Sequence, residues 1–228
     1  MGSIAENLQA VKSRIAAAER AAGRAPGAVA LLAVSKTHAP ALIRQACAAG
    51  QRAFGENYVQ EALDKMARLG ELALEWHLVG PLQSNKTRAV AERFDWVHAV
   101  EREKIACRLA AQRPAGMPPL NVLMQVNASG EASKSGVAPA GVAALATAIA
   151  AMQNLRLRGL MAIPEPGAPR SRFREIGALF QDLRGEFGLD TLSLGMSEDL
   201  EAAIAAGSTL VRIGTAIFGE RRKVRDAA

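Results

Sequence analysis

The chain has 228 residues, 50% hydrophobic and 22% charged, with a net charge of +6. That balance excludes a disordered or fibrous chain, and the length suits a single domain spanning 1–228 that buries its own core. Two cysteines, Cys47 and Cys107, are too few for a disulfide framework; both are expected as small buried groups in a reducing, cytoplasmic setting.

Residues 4–22 read as an amphipathic helix, with Ile4, Leu8, Val11 and Ile15 on one stripe. No basic segment followed by an apolar run precedes it, so no secretory signal is expected. Val29 to Ser35 is a short apolar run that fits a buried parallel strand, and a helix over 39–49 stops at Gly50. The alternation then continues. Strands are predicted at 52–55, 75–80, 95–100, 120–127, 156–163, 191–196 and 209–214. Helices fall between them, at 57–69, 84–93, 102–112, 139–152, 171–187 and 197–206. The longest uncharged stretch, 135–155, contains Pro139, Gly141, Gln153 and Asn154, and reads as a buried helix rather than a membrane span. The Pro- and Gly-rich stretch 164–169 reads as a loop.

Eight strands with helices between them predict a closed (β/α)8 barrel of the TIM type with an extra N-terminal helix. An open doubly wound sheet would carry a glycine-rich nucleotide turn after its first strand; here that strand runs into Ser35-Lys36-Thr37-His38.

In such a barrel the functional groups gather at the C-terminal strand ends. Lys36 follows the first strand directly. Partial burial there would lower its pKa and free the amine as a nucleophile toward a carbonyl. Ser197 follows the seventh strand as a candidate helix N-cap, with a hydroxyl and a helix start that suit an anion. Gly214 closes the eighth strand and Thr215 follows it, where backbone N–H groups can turn toward a phosphate. Arg212 lies two residues before Gly214 and shares its strand face. Asn57, after the second strand, either caps a helix or bonds a ligand. His77, on the third strand, reads as a satisfied core histidine. Glu131 and Lys134 stand in a candidate lid loop, and Arg221, Arg222, Lys223 and Arg225 form a basic tail. One Tyr, two Trp and six Phe leave little for base stacking, so no nucleic-acid partner is expected. No metal-ligand spacing, nucleophile elbow or P-loop is present.

Residues 33–37, 54–61, 76–86, 159–161, 194–197 and 211–219, taken in order, resemble the pyridoxal 5′-phosphate (PLP) homeostasis protein family, relatives of the alanine racemase N-terminal barrel. The resemblance covers nearly the whole chain. It implies PLP held as an imine on Lys36, phosphate contacts from Ser197, Gly214 and Thr215, Arg212 facing the pyridine nitrogen, and Asn57 lining the cofactor. Arginine only donates, so the ring nitrogen facing it stays unprotonated and PLP is a weakened electron sink. The resemblance therefore implies a monomer that holds PLP with little or no catalysis, serves vitamin B6 and amino-acid homeostasis, and binds small amino acids and PLP-dependent apo-enzymes as partners. The competing reading is a PLP-dependent amino-acid racemase, for which the racemase's second domain, the source of the second base, would be expected. A phosphosugar-type barrel enzyme without PLP and an RNA-binding role are further alternatives.

Overall fold

The computed structural model describes residues 2–129 and 135–220, so Glu131, Lys134 and the basic residues 221–225 lie outside the described residues. Helix α1 (Ile4–Ala21) opens on Ser3, whose hydroxyl accepts from Glu6 N–H while the Glu6 carboxylate accepts from Ser3 N–H. The chain then alternates. Strand β1 (Ala30–Val34) leads to α2 (Pro40–Ala48), β2 (Ala53–Glu56) to α3 (Val59–Arg68), and β3 (Glu75–Leu78) to α4 (Thr87–Arg93). Strand β4 (Trp96–Val100) leads to α5 (Glu103–Gln112), β5 (Leu120–Val126) to α6 (Val142–Ala150), and β6 (Leu155–Ala162) to α7 (Arg170–Phe187). Strand β7 (Thr191–Ser193) leads to α8 (Leu200–Ala205), and β8 (Leu210–Ile213) to the single turn α9 (Thr215–Phe218).

The eight strands are parallel and close into one barrel in sequence order. Closure is made by β1 against β8, with Leu32 beside Arg212 and Ala33 beside Ile213. This is the (β/α)8 barrel with an added N-terminal helix that the alternation predicts. The main core lies between strands and helices. Two smaller apolar clusters, Leu32–Val79–Leu210 and Trp96–Leu123–Met161, are separate from it, and strand alternation turns them into the barrel.

Several boundaries differ from the sequence reading, each for a local reason. Strand β3 ends at Leu78, two residues short of Gly80. A Cβ on Gly80 would lie 2.4 Å from the Asn57 carbonyl oxygen, so the backbones after β2 and β3 cross there. Gly80→Ala is expected to cost about 1–3 kcal/mol of stability, because the contact is with backbone that cannot rotate away. A urea midpoint equal to wild type would contradict it. Strand β7 stops at Ser193 because Gly195 turns to φ +101°, a conformation an L side chain rarely adopts. The helices expected from 84 and 139 begin as short 3₁₀ turns, Ser84–Lys86 and Pro139–Gly141. Cys47 is buried in α2, but Cys107 is exposed on α5, because it falls on the outward face of that helix. Among the described residues no helix is long and apolar enough to cross a membrane, and no His/Cys/Asp/Glu group could hold a metal.

Candidate functional site

A cavity of about 730 Å³ opens at the C-terminal end of the strands. Lys36, Asn57, Ser197, Arg212, Gly214 and Thr215 all line it. They come from the ends of β1, β2, β7 and β8, and the β1–β8 seam brings Lys36 beside the Arg212–Thr215 segment. A smaller cavity of about 360 Å³ shares Asn57, Val79 and Pro164 with the first.

Lys36 is half-buried, and both of its neighbours are held. Ser35 is fully buried; its hydroxyl donates to Glu56 Oε1 at 2.6 Å. Thr37 takes φ +64°, unusual for a β-branched residue, and its N–H donates to Glu61 Oε1 at 2.6 Å. Lys65 ties the two sides together. Its ammonium donates to the Ser35 carbonyl at 2.8 Å and bonds Glu56 Oε1 at 2.7 Å and Glu61 Oε1 at 2.6 Å. Three N–H donors thus meet three acceptors, and Lys65 and Glu56 are both buried. Burial pushes the Glu56 carboxyl above the usual carboxylate range, with Lys65 opposing that rise.

Arg212 is buried with no salt bridge among the described residues. Its Nη1 donates to the Ser193 carbonyl and hydroxyl, both at 2.7 Å, and its Nη2 donates to the Ala162 carbonyl at 2.9 Å. Burial pulls its pKa down to about 10, so it remains a cation at neutral pH. Three bonds on one edge of the fork fix the guanidinium and leave further donors of the group to the cavity.

The loops after β7 and β8 differ from their predicted detail. Ser197 is not the N-cap of α8. It sits in a turn at 197–199, and Asp199 takes the N-cap position, its Oδ1 accepting Met196 N–H at 2.5 Å. The turn intervenes because Gly195 redirects the chain after β7. Ser197 is fixed instead through its carbonyl, which accepts from Arg14 Nη1 of α1 at 2.6 Å while Arg14 Nε bonds Glu201 at 2.6 Å. Gly214 caps α9, whose first N–H groups have no acceptor within the helix. Asn57 does not cap α3; Tyr58 holds that position and is 59% exposed. His77 is a bonded core histidine, with Nδ1 2.9 Å from His98 Nε2 and Nε2 2.6 Å from Glu75 Oε1. Glu56 stands at a strand end in the sequence, beside Asn57, but nothing in the sequence marks Lys65, Ser193 or His98 as site residues.

The arrangement offers a primary amine, a fixed guanidinium and two polar loops around one cavity. Such a set suits a flat anion bearing a carbonyl group. The family described as alanine racemase, N-terminal domain, matches residues 6–222. The pyridoxal phosphate homeostasis protein of Pseudomonas aeruginosa is 61% identical over 225 residues, 97% of each chain. PipY of Synechococcus elongatus, solved without PLP, is 39% identical with a TM-score of 0.85 over 95% of this chain and 100% of that one. Its structure with PLP bound is 37% identical with a TM-score of 0.83 over the same shares.

Proposed function

Because this chain belongs to the pyridoxal phosphate homeostasis protein family, we propose that its cavity holds PLP, with Lys36 as the amine that captures the aldehyde. The observation that carries this reading is the meeting of Lys36, Arg212 and the loops at Ser197 and Gly214–Thr215 around one cavity. The cavity lies within the size of cofactor sites. Its buried guanidinium, with donors turned inward and no carboxylate bonded to it among the described residues, suits an acceptor such as a pyridine nitrogen. Ser197 and the first N–H groups of α9 suit the phosphate, and Asn57 lines the same cavity.

PLP, when bound, supplies an electrophilic carbonyl carbon and a ring that withdraws electrons. Arg212 keeps its own proton and gives none to the ring, which weakens that withdrawal. Tyr58, the chain's one tyrosine, does not line the cavity and is not positioned as an opposing base. The protein therefore acts as a reserve of PLP rather than as a fast catalyst. It works as a monomer in the cytoplasm, serves vitamin B6 and amino-acid homeostasis, and releases PLP to apo-enzymes.

Borohydride reduction of PLP-loaded protein, followed by peptide mapping, tests this. One reduced adduct on Lys36 is expected. No adduct, or adducts scattered over surface lysines, would overturn the reading. Sustained loss of optical activity from L-alanine or L-serine, absent in Lys36→Ala, would make the protein a racemase instead.

A further inference from the structure

A line of polar side chains runs through the barrel. It starts at Glu75, the first residue of β3, which is exposed at the end of the barrel opposite the cavity. Glu75 Oε1 meets His77 Nε2 at 2.6 Å, and His77 Nδ1 meets His98 Nε2 at 2.9 Å. His98 Nδ1 meets Ser193 Oγ at 3.2 Å, and Ser193 Oγ meets Arg212 Nη1 at 2.7 Å. Both histidines and Ser193 are buried.

The direction of every bond follows from its ends. Glu75 is a carboxylate, its hydrogen bond with His77 holding it below the usual range, so it can only accept. His77 Nε2 therefore carries the proton. Burial keeps His77 neutral against the pull of Glu75 and Asp95, so its Nδ1 is bare and accepts from His98 Nε2–H. Burial and the charge of Arg212 keep His98 neutral too, so its Nδ1 accepts from the Ser193 hydroxyl. The Ser193 oxygen then accepts from Arg212. All four protons point away from the cavity. A second proton on His77 would set two N–H groups against each other across 2.9 Å. Trp96 stacks on His77, and Arg158 lies over the Trp96 ring 4.6 Å from its centroid, which adds no acceptor to the line.

We propose that Ser193, His98 and His77 are positioning residues, forming a one-way hydrogen-bonded relay that fixes the Arg212 guanidinium at the cavity and anchors it to Glu75 at the far face. Ser193 is the joint. Its hydroxyl must accept from Arg212 and donate to His98 at once, which leaves one rotamer of the hydroxyl proton and one tautomer of each histidine. The effect on PLP rests on the function proposed above; the relay itself does not need the cofactor.

Long-range ¹H–¹⁵N spectra of ¹⁵N-histidine-labelled protein without PLP read the tautomers directly, since the chain has only three histidines. His77 and His98 are both expected with Nε2 protonated and Nδ1 bare from pH 6 to 8. Ser193→Ala is expected to move the His98 Nδ1 signal downfield and to weaken PLP binding about tenfold, the loss of one bond to a charged group. Ser193→Thr, which keeps the hydroxyl, is expected to restore both. A wild-type His98 protonated on Nδ1, a His77 that gains charge in this range, or a Ser193→Ala protein with an unmoved His98 signal would overturn the relay. Wild-type protein that shows both tautomers yet binds no PLP would refute the proposed function and leave the relay standing.

Discussion

Lys65→Met is expected to lower folding stability by about 3–5 kcal/mol, the cost of leaving a buried charge without its partner. For a chain of this size that is a fall in Tm on the order of 10 °C. Glu56 would lose the cation beside it while remaining fully buried, with its Oε2 already lacking a hydrogen-bond partner among the described residues. The loss should depend on pH, and its sign is fixed. Burial raises the Glu56 pKa in the folded protein, so its contribution is full below the ordinary carboxylate pKa and is lost as pH rises through the raised one. Without Lys65 that pKa rises further, so the deficit should be greater at pH 8 than at pH 5. Adding Glu56→Gln to Lys65→Met should recover part of the loss. Urea melts at the two pH values check this, and an equal deficit at both would refute the assignment. Because Glu61, which accepts from Thr37 N–H, and the Ser35 carbonyl also lose their bond to Lys65, the backbone on both sides of Lys36 should loosen, and PLP retention should fall with stability.

Arg212→Lys is expected to weaken PLP binding ten- to hundredfold while the barrel still folds. The charge remains but the fork does not. One ammonium cannot bond the Ser193 carbonyl, the Ser193 hydroxyl and the Ala162 carbonyl from two separate nitrogens and still face the cavity. Losing one bond to a charged donor is worth about 1.5–3 kcal/mol, which sets that range. Equilibrium dialysis against PLP, with circular dichroism to confirm the fold, gives the measurement. Affinity equal to wild type would mean that charge alone suffices at this position.

The barrel was legible because each strand is a short apolar run and each helix a longer mixed one, so the change of period marks every junction. Strand ends near Lys36, Asn57, Ser197 and Arg212 were legible for the same reason: barrel topology puts functional groups there. The local turns were less so. Whether Ser197 caps α8 depends on the positive φ of Gly195, with which the N-cap falls two residues later, at Asp199. Lys65 lies mid-helix in α3 between residues of mixed polarity and reads as a solvated charge. Only when α3 packs on β1 and β2 does it face Glu56 and the Ser35 carbonyl. His98 and Ser193 were hidden for a different reason. Parallel barrel strands are buried on both faces, so alternation does not tell the barrel interior from the helix-facing side.

The pairing of β1 with β8 has a consequence for the order of events during synthesis. Ala30 lies beside Leu210, 180 positions later (210 − 30). Lys36 emerges from the ribosome well before the strand that brings Arg212, Gly214 and Thr215 next to it. At about 5–20 residues per second, that leaves an interval of roughly ten seconds or more in which the lysine exists and its surroundings do not. A growing chain therefore has no pocket to fill. Capture of the cofactor reports a finished barrel, and a chain cut short before Leu210 would leave the lysine an ordinary surface amine.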